Sequence, residues 1–290
     1  MAQDPERLAV LARIEDLERR GVFDQDVEED PPGETILPGT VDYKQAKWTT
    51  KIRAKLAFSA ARKYLNSILK DGTLRIKAIH GIENLDNLQT GAVITCNHFN
   101  AFDSFAMQVA YERSTCHKKK KLFRVIREGN YTSFPGFYGR LMRSCNTLPL
   151  SSNMATMKEF MDGVEYHLRH GDLVLVYPEQ SMWWNYRKPK PLKRGAFTFA
   201  AKAQVPVIPI FICQEDSQDI GADGFPIQEM TIFVLEPIYP DKEKHPVIAS
   251  QAMADANYAA WKKVYEQFYG VKLEYLCGEL PSSKPKPKKA

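Results

Sequence analysis

The chain has no apolar run of the roughly 18 residues that a membrane-spanning helix needs. Its N-terminus shows no basic segment followed by an apolar one, so no secretory signal peptide is expected. Five cysteines (Cys96, Cys116, Cys145, Cys213 and Cys277) are scattered without a Cys-x-x-Cys pair. That pattern argues for reduced thiols in a cytosolic compartment and against a cysteine metal site. No Gly-x-Ser-x-Gly elbow occurs, which disfavours a serine hydrolase. No cluster of metal ligands is visible, and no cofactor or metal is expected. The basic residues are not interleaved with aromatics as in nucleic-acid modules, so nucleic acid is not an expected partner.

What is present suits one large α/β domain with extensions. A chain of 290 residues is long enough for that, and 44% apolar content is ordinary for a globular protein. The net charge of +5 hides an asymmetry. Residues 1–34 hold 4 basic and 11 acidic side chains, whereas the rest hold 36 basic and 24 acidic. A basic body suits anionic lipid surfaces, phosphorylated substrates or nucleic acid.

Asp4-Pro5 reads as a helix cap followed by Val10, Ile14 and Leu17 at helical spacing. The acidic stretch Asp24 to Pro38 reads as an arm that wraps the surface. From Lys51 to Lys70, Ala54, Phe58, Ala61, Leu65 and Ile68 share one helical face, with Lys51, Arg53, Lys55, Arg62, Lys63 and Lys70 elsewhere. Such a helix either lies in an anionic membrane interface or packs on a sheet with its lysines solvated. Strand and helix patterns then alternate: Leu74 to Ile79 reads as the first core strand, Ala92 to Cys96 as the next, and Val205 to Ile212 as a late one. The alternation predicts a single mixed, largely parallel sheet flanked by helices, with an N-terminal helical extension. The expected segments are an acidic helix and linker (1–50), a basic amphipathic helix (51–72), the main domain (73–278) and a disordered basic tail (279–290).

Asn97-His98-Phe99-Asn100-Ala101-Phe102-Asp103 follows the strand Ala92 to Cys96. A strand, a sharp turn and a helix start place His98 and Asp103 together at the open end of a sheet. The carboxylate can fix the ring tautomer, leaving the other nitrogen to take a proton from an alcohol. Cys96, two residues from His98, offers a second reading as a thiol nucleophile, against a small buried strand residue. Leu173 to Tyr177 is another apolar strand, ending in Pro178-Glu179-Gln180-Ser181. Trp183-Trp184 follows on a polar loop, which fits a membrane interface, a chain-binding wall or a core-packing loop.

These segments together resemble the glycerolipid acyltransferase family, the lysophosphatidic acid acyltransferases and their relatives. His98 and Asp103 match its Asn-His-x4-Asp motif, and Pro178-Glu179 its Phe-Pro-Glu-Gly-Thr-Arg motif. Gly195-Ala196 matches the Lys-x-Gly-Ala element, Val205 to Ile210 the closing Val-Pro-Val-Ile-Pro-Val strand, and Leu235 to Ile238 the later Gly-Glu-Pro-Ile element. The resemblance spans residues 74–240. Two departures bear on the acceptor. Gln180-Ser181-Met182 replaces Gly-Thr-Arg, and serine stands near position 151 where the family has an arginine.

The resemblance implies transfer of a fatty acyl chain from an acyl thioester, acyl-CoA or acyl carrier protein, to a lysophospholipid hydroxyl. Lysophosphatidic acid is the leading acceptor; another lysolipid, a glycolipid or an amine is the alternative, and a non-catalytic anionic-surface binder the distant one. His98 is the expected base and Asp103 its orienting partner. Asn97, Arg127, Glu179, Gln180, Ser181, Arg187, Lys193, Arg194 and Gly195 are the expected substrate-binding residues. For Glu179 the competing reading is a strand-end carboxylate paired with a lysine; for each cation it is solvated surface. The expected location is cytoplasmic, peripheral on the cytoplasmic face of an anionic membrane.

Overall fold

The computed structural model describes residues 2–28, 33–278 and 280. Apart from Leu280, the expected tail lies outside the described residues. Asp4 caps helix α1 (Pro5–Arg19), accepting a hydrogen bond from the Glu6 N–H, while Pro5 occupies the first turn. Helix α2 (Trp48–Lys70) buries Ala54, Leu65 and Ile68 from its predicted apolar face. The chain then runs through β1 (Arg75–His80), α3 (Glu83–Asp86), β2 (Ala92–Cys96), α4 (Asp103–Arg113), β3 (Leu122–Ile126), α5 (Glu128–Thr132), α6 (Gly136–Met142) and β4 (Thr147–Pro149). It continues as α7 (Met154–Arg169), β5 (Leu173–Val176), α8 (Gly195–Ala203), β6 (Val207–Ile220), β7 (Pro226–Val234) and α9 (Pro246–Tyr269).

The strands form one sheet in the order β1-β7-β6-β2-β5-β3-β4. Five of them, β6, β2, β5, β3 and β4, run the same way. β7 is antiparallel to β6, and β1 runs parallel to β7. The mixed, largely parallel sheet flanked by helices is thus the observed architecture. All five residues of β2 are buried, as expected of a parallel strand covered on both faces.

One side of the sheet packs Ile94, Cys96, Leu175 and Ile208 with residues of α2 and α4. The other packs Val93, Val174 and Val207 with α7, α8 and the start of α9. A third cluster joins α1 and the following arm (Val10, Ile14, Phe23, Val27) to Trp183, Phe211 and Trp261. Each large apolar side chain buried there contributes about 1.5–3 kcal/mol. The arm is therefore part of the packed body.

One expectation needs correction, and of the three readings of Trp183-Trp184 the core-packing loop holds. The first strand is an edge strand, parallel to β7, with partly exposed residues, not a core strand. Trp183 and Trp184 are 0% and 8% exposed. They form neither a membrane contact nor an open chain-binding wall. Trp183 stacks on Phe23 and donates from Nε1 to the Gln25 carbonyl.

Candidate active site

The parallel strands deliver their carboxyl ends to one edge of the sheet, where ligands of open α/β folds gather. His98 leaves β2 there, Pro178-Glu179 leave β5, Arg127 leaves β3 and Ser151 follows β4. The turn after β2 is held by its own side chains. Asn100 Oδ1 accepts from the Phe102 N–H, which leads directly into α4. Asp103 is the first residue of that helix, and its Oδ2 lies 2.6 Å from His98 Nδ1 and accepts from the Phe99 N–H. Asp103 is 1% exposed and the His98 side chain 24%. The carboxylate is thus committed to the ring, while the ring stays reachable. Nδ1 donating to Asp103 leaves Nε2 unprotonated in the neutral ring, as a base requires.

The Tyr177 ring stacks on His98 at 4.2 Å between centroids. Burial, with the Asp103 charge next, pushes the Tyr177 phenol well above its ordinary value. Sequence reading missed Tyr177. The available signal was its place before Pro178-Glu179, where the family motif has phenylalanine.

Glu179 is buried behind the ring. Its Oε2 accepts from the His98 N–H and its Oε1 from the Lys190 N–H. The Lys190 ammonium lies 3.6 Å from Oε2 and donates to the Ser181 carbonyl and hydroxyl. The alternative of a strand-end carboxylate paired with a lysine therefore describes the contacts of Glu179. Burial raises the Glu179 pKa and pushes Lys190 down to about 8. Nothing in the Lys-Pro-Lys-Pro run marked Lys190 as buried. Gln180 takes a left-handed φ of +67° where the family motif has glycine. The turn is thus kept without glycine, at a strain cost of about 1–3 kcal/mol.

The other expected site residues divide. Asn97 is buried, and its amide donates to the Ile212 carbonyl and accepts from the Ile212 N–H, so it braces β2 against β6. Arg127 pairs with Asp26 and Lys193 with Asp24, both acids belonging to the arm. Arg187 pairs with Asp216 on β6. Arg194 caps α8 with an exposed side chain, and a Cβ at Gly195 would meet nothing within 4 Å. The Ser181 hydroxyl is engaged already, donating to the Phe23 carbonyl. The Ser151 hydroxyl, with one proton to give, lies 2.7 Å from Glu128 Oε1 and 3.1 Å from the Ile36 carbonyl. Both altered motifs therefore use a serine to seat the N-terminal arm along the rim of the site.

Cys96 is buried, and that burial raises its thiol pKa well above the ordinary value, so the thiol-nucleophile reading fails. Among the described residues no group of three His, Cys, Asp or Glu is placed to hold a metal.

The family model for Acyltransferase matches residues 77–213, which run from β1 through the His98 turn and the Glu179 loop into β6. No curated protein matches the chain. Among solved structures, the crystal structure of the 1-acyl-sn-glycerophosphate (LPA) acyltransferase from Thermotoga maritima is 18% identical. That match covers 73% of this chain and 88% of that chain, with a TM-score of 0.45.

Proposed function

We infer that this chain, an acyltransferase of the glycerolipid acyltransferase family, moves a fatty acyl group from acyl-CoA or acyl carrier protein to a lysophospholipid hydroxyl. Lysophosphatidic acid, giving phosphatidic acid, is the leading acceptor. The observation that carries the reading is the 2.6 Å contact between His98 Nδ1 and the buried Asp103 carboxylate, with the ring still open to solvent. His98 Nε2 takes the proton of the acceptor hydroxyl as that oxygen attacks the thioester carbonyl. Asp103 stabilises the imidazolium that results. The tetrahedral intermediate then collapses, the thiolate leaves, and the proton on His98 passes to it. The thioester is already activated, so no covalent enzyme intermediate is needed. Glu179 serves by fixing the His98 backbone.

The proposed place of action is the surface of an anionic membrane. Among the described residues no helix is long and apolar enough to cross one. On α2, however, Trp48, Ile52 and Leu56 recur every fourth residue and are 71%, 50% and 68% exposed. The exposed Lys51 and Lys55 flank that stripe. This apolar stripe lies away from the face that packs on the sheet, as in a helix resting in a lipid interface.

A second acceptor class is favoured by one observation. Arg127 and Lys193 are both paired with carboxylates of the arm. A lysolipid or glycolipid with a less anionic head group fits a rim neutralised in this way. The test is product formation by purified protein from both donors, across lysophosphatidic acid, other lysolipids and glycolipids. Acylated product with at least one acceptor is expected. Failure with all of them defeats the reading.

A further inference from the structure

Arg124 sits in the middle of β3 on the α4 side of the sheet, beside Leu175 of β5. Its half-buried guanidinium reaches the first turns of α4. Nε donates to Ser104 Oγ at 3.1 Å, and Nη2 donates to Gln108 Oε1. Ser104 directly follows Asp103, so this cation lies one residue along the helix from the partner of His98. Tyr177, whose ring covers His98, is among the groups that feel its charge.

Four cations after β3 and β5 have acids. Arg127 has Asp26, Lys193 has Asp24, Arg187 has Asp216 and Lys190 has Glu179. Arg124 pairs with no carboxylate among the described residues. Glu112, a carboxylate whose charge acts on Arg124, is spent on Arg62 and accepts from the Gln108 amide. Gln108 thus stands between the two, presenting a neutral oxygen to Arg124. Of the five guanidinium N–H groups, two have partners among the described residues, and both Nη1 hydrogens have none. Burial without a counter-ion lowers the Arg124 pKa, although a guanidinium stays charged at any working pH. A half-buried, permanently charged fork with open donors calls for an anion that can accept two parallel hydrogen bonds.

We propose that Arg124, oriented by Ser104 and Gln108, forms a phosphate subsite on the α4 side of the His98–Asp103 pair. It lies apart from the Pro178 to Gly195 loop where the family motif carries its arginine. Building on the acyl-transfer reading above, the phosphate belongs to the acceptor head group or to the donor, since both carry one. Either source leaves the rim pairs Arg127–Asp26 and Lys193–Asp24 intact.

The test is Arg124→Gln, with Arg124→Lys as a milder second variant. Two readouts separate the subsite from the reaction. In the first, glycerol 3-phosphate and inorganic phosphate should raise the melting temperature of the wild type and of His98→Ala, but not of Arg124→Gln. In the second, KM should rise about 10- to 100-fold for one substrate with kcat little changed, the range expected for losing a charged hydrogen bond. A rise for lysophosphatidic acid assigns the phosphate to the acceptor. A rise for acyl-CoA or acyl carrier protein assigns it to the donor. Arg124→Lys should lie between, because an ammonium keeps the charge without the fork. If Arg124→Gln shows unchanged KM for both substrates and unchanged phosphate stabilisation, the subsite is refuted and Arg124 merely braces α4 against β3. An Arg124-dependent thermal shift in a protein that acylates nothing would keep the subsite and sink the acyl-transfer reading instead.

Discussion

Two sets of charged contacts lie at the carboxyl edge of the sheet, and they differ in depth. The inner set, His98–Asp103 and Glu179–Lys190, has three of its four side chains 2% exposed or less. The outer set, Arg127–Asp26 and Lys193–Asp24, keeps between 31% and 54% exposure. Buried pairs are costly to form and costlier to break, so they hold one geometry. Exposed pairs are worth about 0–1 kcal/mol and exchange readily. The inner set therefore fixes the base, and the outer set lets the acidic arm lie on the rim yet yield to a competing anion.

Breaking the inner set gives the largest effects. His98→Ala should lower kcat/KM by at least the roughly 10²–10⁴-fold typical of a lost general base, with the circular dichroism spectrum and melting temperature unchanged. Lys190→Met strands the Glu179 carboxylate in the interior. It should cost about 3–5 kcal/mol in urea unfolding, and kcat should fall as the His98 backbone loosens.

The same pair makes a pH prediction. Lys190 has a folded pKa of about 8 against 10.5 unfolded. Between those values the unfolded chain binds a proton that the folded one does not, so this group's contribution to stability improves as pH rises. Glu179, raised from 4.5, acts in the opposite sense, losing stability as pH rises from 4.5 through its folded value. The wild type should therefore gain on Lys190→Met between pH 8 and 10.5 in urea midpoints. A gap that narrows over that window would show that the ammonium is not buried as described.

Disturbing the outer set should do little to the fold. Asp24→Asn with Asp26→Asn should change stability by about 1 kcal/mol or less. The double variant should lower KM for an anionic lysolipid a few-fold and leave kcat unaltered, because Arg127 and Lys193 each lose a carboxylate contact. A loss of stability as large as that of Lys190→Met would erase the distinction between the two sets.

Much of this was legible in the sequence wherever local pattern and burial coincide. The apolar run of β2, the Asp4-Pro5 cap and the helix spacing of α2 each specify their element. The His98–Asp103 contact follows from a strand, a turn and a helix start within seven residues. The seat of the arm was not legible, because Ser151, in place of an arginine, and Ser181, beside the Met182 that replaces one, read as marks of lost cations rather than as partners to carbonyls over a hundred residues away. Lys190 was hidden, and the reading of Trp183 left undecided, for a related reason. Charge and aromaticity on a polar loop suggest exposure, whereas the arm that buries the loop is distant in sequence. Arg124 was passed over inside an apolar strand, although an arginine in such a run is itself a signal of a buried cation.

The measurement closest to the central claim follows thiol release from an acyl-CoA by the wild type and His98→Ala, with and without the acceptor, alongside intact-protein mass. Direct attack by a hydroxyl activated at His98 predicts release only when acceptor is present, release lost in His98→Ala, and no acyl adduct on the protein. Release without acceptor, with an acyl adduct that persists in His98→Ala, would contradict it and return a covalent nucleophile to the mechanism.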